Sequence, residues 1–483
     1  MKGATLLSIA LIAGQALSLL RNIITARLLG TEVQGQAMIL GLVTSFFATV
    51  AVLNTAWQLV QSDRAEDPEF QSSLQGTALL RSVFTATLLL TGGLFLIHQL
   101  EMPELQWPLV LTACIPIFEG GLKLNAWRDI RDKKYGGLII IELAGPIGGA
   151  IAAAAILPFN RTIWVFAIVT TTASFLRLVA SHLVSRARYQ LAIHRTHLRE
   201  IIRFSWPLIP GGLFFWMNTQ SDKLVIILSK EATWLPTIDL EQLGAYGTVA
   251  MMIMYPLAPI AKVVRTIIVP GLAKVKADWA TFNQLFSHYM RNLMPYILAV
   301  ATTAIIGSKG LFTMILGEEF SQGAAVAPIL SCALVFNFTR MLGYQTGLAK
   351  GNNTPQLMGN MFKLSGFGIA ILALYWGYGL LGIATGVLGG EILSLLMVTF
   401  WLRFRRIAHA EWILVVMAFT ITMLMASWSV KDHVQSMNNF LQVLVAIIVG
   451  SVVWGISYIL LSRNNPAPSF NTGRPGEESS QRE

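Results

Sequence analysis

The sequence predicts an all-α, polytopic membrane protein, and three observations carry that prediction. The first is composition: of 483 residues, 54% are hydrophobic and 12% charged, with a mean hydropathy of +0.61. Soluble domains carry about 25% charge. A chain this long with half that charge has too little polar surface to cover globules in water. The second is the gathering of apolar residues into windows of about 20, the length a bilayer core demands of each crossing helix. The third is a one-sided distribution of Lys and Arg between successive windows. The two cysteines, Cys114 and Cys332, lie inside apolar runs and read as small core residues.

Between polar breaks, fourteen windows follow in order: 4–28, 36–60, 77–98, 104–124, 137–157, 162–184, 205–229, 242–269, 290–308, 324–348, 357–376, 379–402, 412–428 and 440–461. The first is too long for a cleavable signal peptide, carries Arg21 and Arg27, and runs straight into a second span. With the N-terminus in the cytoplasm, 26 of the 35 basic residues fall on the inner side, 5 outside and 4 within spans. That bias predicts both termini in the cytoplasm and an even number of helices. The net charge of +10 is thus a cytoplasmic collar suited to anionic lipid heads, not a nucleic-acid surface.

The longest loops, 61–76, 185–204 and about 262–290, face the cytoplasm, and no soluble domain fits anywhere. The basic linker 185–204 separates six spans (1–184) from eight. The eight divide into 205–403 and two further helices within 404–462. The tail 463–483 is rich in Asn, Pro, Gly, Ser and Glu and reads as disordered. A faint echo links the halves. Arg21 in the first span and Asp222-Lys223 in the seventh each precede an outer loop, and a glycine (Gly35, Gly244) then opens the returning helix. Parallel repeats of this kind occur in alternating-access transporters, with the site between the halves. Pro207 and Pro210 open span seven and Pro256 and Pro259 interrupt span eight, while Pro116, Pro146, Pro295 and Pro328 lie in other spans. Gly145 with Gly149, and Gly382 with Gly386 and Gly390, are small-xxx-small ladders that read as close helix packing.

Ionisable residues in hydrocarbon cost about 2.5–3.5 kcal/mol each on insertion scales, so each needs a reason. The basic set is Arg21, Arg27, Arg177, Lys223 and Arg340; the acidic set is Glu119, Glu142, Asp222 and Glu391. Arg27, Arg177 and Arg340 are within reach of an interface by snorkelling, or else line a cavity. Arg21 and Lys223 lie deeper. A cavity lined by fixed cations selects anions, and guanidinium binds phosphate bidentately, so Arg21, Lys223 and Arg340 suit a diphosphate crossing the midplane. Asp222 either pairs with a basic residue on another helix or binds a coupling cation. Glu119 and Glu142 lie toward the cytoplasmic end, and Glu391 is mid-span, where it is hydrogen-bonded or relays a proton or sodium. There is no G-x-x-x-x-G-K-[ST] loop for ATP, no H-E-x-x-H or Cys/His cluster for a metal, and the seven histidines are scattered. No cofactor is expected beyond a coupling ion.

The segment from Arg21 through Ala26-Arg27-Leu-Leu-Gly30 to Gln34-Gly35 resembles the first-helix signature of oligosaccharide flippases of the multidrug/oligosaccharidyl-lipid/polysaccharide exporter superfamily. Ser205-Trp-Pro207-Leu-Ile-Pro210, Asp222, Gly244-Ala-Tyr246 and Pro270 resemble its seventh and eighth helices. Gly317-Glu-Glu-Phe320, Ala327-Pro328-Ile-Leu330 and Gly347-Leu-Ala-Lys-Gly351 resemble the segment around its tenth. The resemblance implies two six-helix bundles in a V around a central cationic cavity. The two additional C-terminal helices are similar to those of lipid-linked peptidoglycan-precursor flippases. It implies a polyprenyl-diphosphate-linked oligosaccharide as substrate, moved across the cell inner membrane by alternating access for surface polysaccharide biosynthesis. Arg21 and Arg27 match basic first-helix positions beside the cavity, and other polysaccharide assembly proteins are implied as partners. Two competing classes follow from the residues: a cation-coupled multidrug antiporter, in which carboxylates control transport, and a membrane glycan polymerase. The polymerase needs a sizeable outer loop, and none here exceeds about 17 residues.

Overall fold

The computed structural model describes residues 2–50, 66–130, 134–185, 189–205, 208–255, 268–404 and 436–462, with isolated residues between these stretches. Every regular element among them is a helix. Pro207, Pro256, Pro259, most of the window 412–428 and the tail 463–483 lie outside the described residues.

Helix α1 runs Lys2–Val50 and breaks at Gly30 (φ 79°, ψ 174°), a backbone conformation glycine adopts without steric cost. Its two legs reverse direction there, as their contacts with α9 (Leu240–Met254) demonstrate. Descending α9, Gly244 lies against both Thr31 and Gly35, Gly247 meets Met38 on the second leg, and Met251 meets Asn22 on the first. Just beyond, Tyr255 donates to the Gln15 carbonyl. Helix α9 is therefore wedged along both legs of a hairpin. The first two expected spans are the legs of this single element.

Helix α2 begins at Pro68, capped by Asp67, and continues from Leu88 through a π turn at Leu89–Gly93 to Gln99. The expected span 104–124 is split at Ala113 into α3 (Gln106–Thr112) and α4 (Cys114–Gly120). Helices α5 (Gly136–Ile156) and α6 (Trp164–Val184) complete the first half. The linker 185–204 is more than a loop, since it holds the amphipathic helix α7 (Arg195–Ser205). Buried Ile201 of α7 packs with Leu59, Phe70, Leu74 and Leu124 at the end of the first half expected in the cytoplasm.

The second half holds α8 (Leu208–Glu231), α9, α10 (Trp279–Ile306), α11 (Ser308–Leu316), α12 (Ser321–Ala349), α13 (Thr354–Lys363), α14 (Ser365–Tyr375) and α15 (Gly379–Phe404). Gly377 (φ 83°) and Gly379 (φ 52°) make the turn between α14 and α15 where the sequence placed it. The last helix, α16 (Asn439–Ser462), packs on α10 and α11. Pro295 and Pro328 sit inside continuous helices, tolerated where neighbours surround the freed backbone.

Against fourteen expected crossings, eight helices among the described residues are long and apolar enough to span a bilayer, or nine if the α10–α11 pair, bent by 83°, is one span. The causes are local. Helix α1 counts once, α3 and α4 are short pieces, and α8 carries Asp222 and Lys223 mid-helix. The exposed aromatics include Trp107, Phe159, Trp164, Trp234, Tyr375 and Trp376. All six lie at loops expected on the outer side, the position of an interfacial aromatic belt.

Candidate functional site

The helices sort the intramembrane charges into two clusters and a few residues apart from them. In the first half, Gly145 and Gly149 lie one turn apart on α5 and leave a trough on one face. A Cβ at Gly145 would come within 2.9 Å of Arg177 Cδ, and one at Gly149 would overlap the Arg21 guanidinium. Arg177 from α6 and Arg21 from α1 thus lie alongside the same stripe. Arg177 donates to both oxygens of Glu119 (2.8 and 3.0 Å) and to Glu142 (3.5 Å). Arg81 of α2 lies in the field of Glu119 and donates to the Ser82 hydroxyl (3.2 Å). Arg21 itself donates only to the side chain of its neighbour Asn22 (2.9 Å from Nη2) among the described residues.

In the second half, Glu391 of α15 is fully buried and accepts from three side chains on two helices, α12 and α13. Arg340 Nε lies 2.9 Å and Lys363 Nζ 2.7 Å from its oxygens, and Asn337 donates at 2.8 Å. Arg340 also donates to Asn360 Oδ1 (3.4 Å), and its guanidinium lies 5.6 Å from the centre of the Tyr344 ring. Arg340 is therefore held in the core of the half rather than snorkelling to water, and Glu391 already has two cations.

The remaining candidates are placed differently. Lys223 shares a face of α8 with Gly212, Trp216 and Gln220 at helical spacing. That face meets the second leg of α1, where Trp216 donates to Ser45 (2.9 Å) and Gly212 lies against Thr49. Lys223 donates to Gln220 Oε1 (2.8 Å). Asp222, on another face, accepts from the Tyr246 hydroxyl of α9 (3.0 Å). Neither an ion pair nor a vacant carboxylate pocket surrounds it among the described residues. Arg27 is exposed beside the hairpin turn of α1, on the side expected outside, and donates to the last carbonyls of α11, Met314 (3.0 Å) and Ile315 (3.4 Å). This is the negative end of a helix, where a cation is favoured. The six-residue spacing of Arg21 and Arg27 turns them toward different helices, α5 and α11.

No contact joins Arg21 and Lys223 among the described residues: Arg21 lies against α5, and Lys223 is on the α8 face that meets the second leg of α1. What they share is the hairpin, which joins the halves. Beside the hairpin turn, at the end expected outside, the joint is tight. A Cβ at Gly35 would overlap the Leu240 carbonyl, one at Gly244 the Thr31 carbonyl, and one at Gly323 the Ala245 carbonyl. Backbones this close leave no passage between α1, α9 and α12 at that level.

Sequence reading missed Lys363, counted with the cytoplasmic collar, and the neutral partners Asn337, Asn360, Tyr246 and Gln220. A signal existed: Asn337 precedes Arg340 by three residues and Asn360 precedes Lys363 by three, so each helix carries one polar stripe.

A family model described as polysaccharide biosynthesis protein matches residues 24–325. No curated protein matches the sequence. Among solved structures, lipid II flippase MurJ in an inward closed conformation aligns with a TM-score of 0.74 at 16% identity, over 95% of this chain and 99% of that one. An inward-facing multidrug resistance MATE family transporter of the MOP superfamily aligns at 0.64 with 14% identity, over 82% and 98%. An outward-facing form of such a transporter aligns at 0.52 with 16% identity, over 84% and 95%. At these identities the likeness establishes the fold alone, one shared by membrane flippases and transporters.

Proposed function

The chain belongs to the polysaccharide biosynthesis protein family, and from that premise we propose that it is a flippase. It moves a polyprenyl-diphosphate-linked oligosaccharide from the cytoplasmic to the outer leaflet of the cell inner membrane by alternating access, with both termini in the cytoplasm. One observation carries this reading. Arg21 and Lys223, the deepest cations of the joint between the halves, have only neutral partners, Asn22 and Gln220, among the described residues. Arg177, Arg340 and Lys363 are each paired with a carboxylate. An uncompensated cation in hydrocarbon is costly unless an anion arrives to pair with it, and a diphosphate supplies that anion with bidentate geometry for the guanidinium. The closed outer joint supports a loading state that faces inward. Asp222 is our coupling candidate for a proton or sodium, because Glu119, Glu142 and Glu391 are already engaged by arginine or lysine.

The test is Arg21→Ala, Lys223→Ala and Arg21→Lys in a strain that needs this protein for its surface glycan. With normal membrane insertion, both alanine variants are expected to cut surface glycan at least tenfold and accumulate the lipid-linked precursor on the inner leaflet, with partial rescue by lysine. Unchanged export in both overturns the reading. Asp222 also favours a second reading, small-molecule antiport coupled to a cation. Asp222→Asn that abolishes cationic dye efflux while glycan export persists would select it.

A further inference from the structure

Between the two halves, beside the closed outer joint, lies an apolar cavity of about 230 Å³. Its walls come from both sides: Ile39 of α1 and Met102 after α2 from the first half, and Ile226, Leu243 and Lys230 from the second. Ile39, Met102, Ile226 and Leu243 are buried and Lys230, Thr237 and Asp239 are exposed, so the space reaches from an open mouth into the joint. A dry gap forfeits the dispersion contacts of its lining and costs stability unless hydrocarbon fills it. Water is a poor occupant because the walls are apolar. The cavity is also smaller than the roughly 300 Å³ at which pockets for drug-sized ligands begin, a size that suits one stretch of hydrocarbon chain.

Its mouth is charged. Lys230 is exposed and uses its ammonium on one carbonyl, that of Leu100 at 3.5 Å, which leaves donors free. The carboxylate of Asp239 at the same rim keeps its charge and faces the N-terminus of α9, accepting from the Gln242 amide at 2.7 Å, which leaves Lys230 as the cation of the lining. Exposed Trp107 and Trp234 flank this region in sequence and place the mouth at the aromatic belt, where head groups begin. A cation at head-group level above an apolar gap is complementary to one kind of molecule.

We propose that this cavity is a binding site for an anionic phospholipid of the outer leaflet, its phosphate on Lys230 and one acyl chain between Ile39 and Ile226. The bound lipid fills the joint between the halves and holds it in the closed arrangement. When the outer side opens, Ile39 and Ile226 separate and the lipid leaves.

The experiment reconstitutes the full chain in nanodiscs containing a phosphatidylglycerol with a photoreactive acyl chain, and maps crosslinks by peptide mass spectrometry. Labelling is expected to concentrate on residues 226–243 and around Ile39. It should fall at least fivefold in Ile226→Trp, which fills the gap, and at least threefold in Lys230→Gln, which keeps the gap and removes the charge. Lys309→Gln, an outer lysine remote from the cavity, should leave it unchanged. Equal labelling of all four proteins overturns the site, as does a photoreactive phosphatidylcholine that labels as well as phosphatidylglycerol. Preferential labelling by a polyprenyl diphosphate over phosphatidylglycerol also overturns the proposal, since the pocket would then belong to transported lipid. Lys230→Gln guards against a packing defect in Ile226→Trp, and both are scored only as monodisperse protein.

Discussion

The two intramembrane charge clusters look alike in chemistry and differ in setting. In the first half, one arginine serves two carboxylates, and Arg177, Glu119 and Glu142 keep 25%, 30% and 29% of their side-chain surface accessible. In the second half, two cations serve one carboxylate, and Arg340, Lys363 and Glu391 keep 7%, 13% and 1%. The first carries one excess negative charge, with Arg21 and Arg81 close by; the second carries one excess positive charge in a dry core. A buried ion pair gives little net stability because desolvation offsets attraction, but removal of one partner leaves an orphaned charge. The same type of cluster should therefore be an adjustable feature in one half and a rigid clasp of α12, α13 and α15 in the other.

The strongest way to break this comparison is Glu391→Gln. It strands both Arg340 and Lys363 in the core, and a loss of about 3–5 kcal/mol is expected, read as collapse of the monodisperse peak after mild heating in detergent. Lys363→Met should behave oppositely. It removes the surplus charge and leaves a neutral Arg340–Glu391 pair with Asn337 in place, so thermal stability is expected to hold or rise. Equal damage from both variants would mean that the ammonium is a structural strut and that net charge is not the governing quantity.

Glu119→Gln sharpens the other side. Arg177 keeps Glu142 at 3.5 Å and some access to water, so a loss of only about 1 kcal/mol is expected once screening is allowed for. The double variant Glu119→Gln with Glu142→Gln should exceed the sum of the singles, because only then is the arginine orphaned. Additive losses in the same thermal assay would show that the three groups do not act as one cluster.

Much of this architecture is legible from composition and breaks. The turn between the first two spans and the one at Gly377–Gly379 are legible because the apolar windows break there, although the first falls at Gly30 and not at Gly35, which the sequence made the start of the returning helix. The costly charges stand out because hydrocarbon tolerates an ionised group only where a partner, a cavity or the interface receives it. Partner choice is not legible. Nothing local says that Arg177 finds Glu119 or that Lys363 reaches Glu391, because those contacts are set by how α4, α6, α13 and α15 pack, and packing is a property of whole faces. The split of span 104–124 at Ala113 is also invisible, since the residues on both sides of the break are equally apolar. Arg27 reads as a cavity cation for the same reason: its true partners are carbonyls of a helix nearly three hundred residues away.

The smallest expected effect contrasts the helix caps of the two halves outside the membrane. Asp67 caps α2 by accepting from the Glu69 amide (3.0 Å), and Asp278 caps α10 by accepting from the Ala280 and Thr281 amides (3.0 and 3.2 Å). Both carboxyls titrate below the ordinary value of 3.8, Asp67 chiefly through its bond to the Arg64 guanidinium and Asp278 chiefly through the Thr281 hydroxyl. A folded-state value below the unfolded one means that each cap stabilises above pH 3.8 and is lost as pH falls through the depressed value. Salt should separate them. The Asp67 cap leans on an exposed ion pair, which ions screen, whereas the Asp278 cap leans on neutral donors. The protection of the Glu69 and Thr281 amides, taken relative to the intrinsic exchange rate at each pH, is therefore expected to fall in both at acid pH, but to fall with added salt at neutral pH only at Glu69. An equal salt response at the two caps would show that Arg64, which also lies 3.5 Å from Glu200, is not what lowers the Asp67 carboxyl.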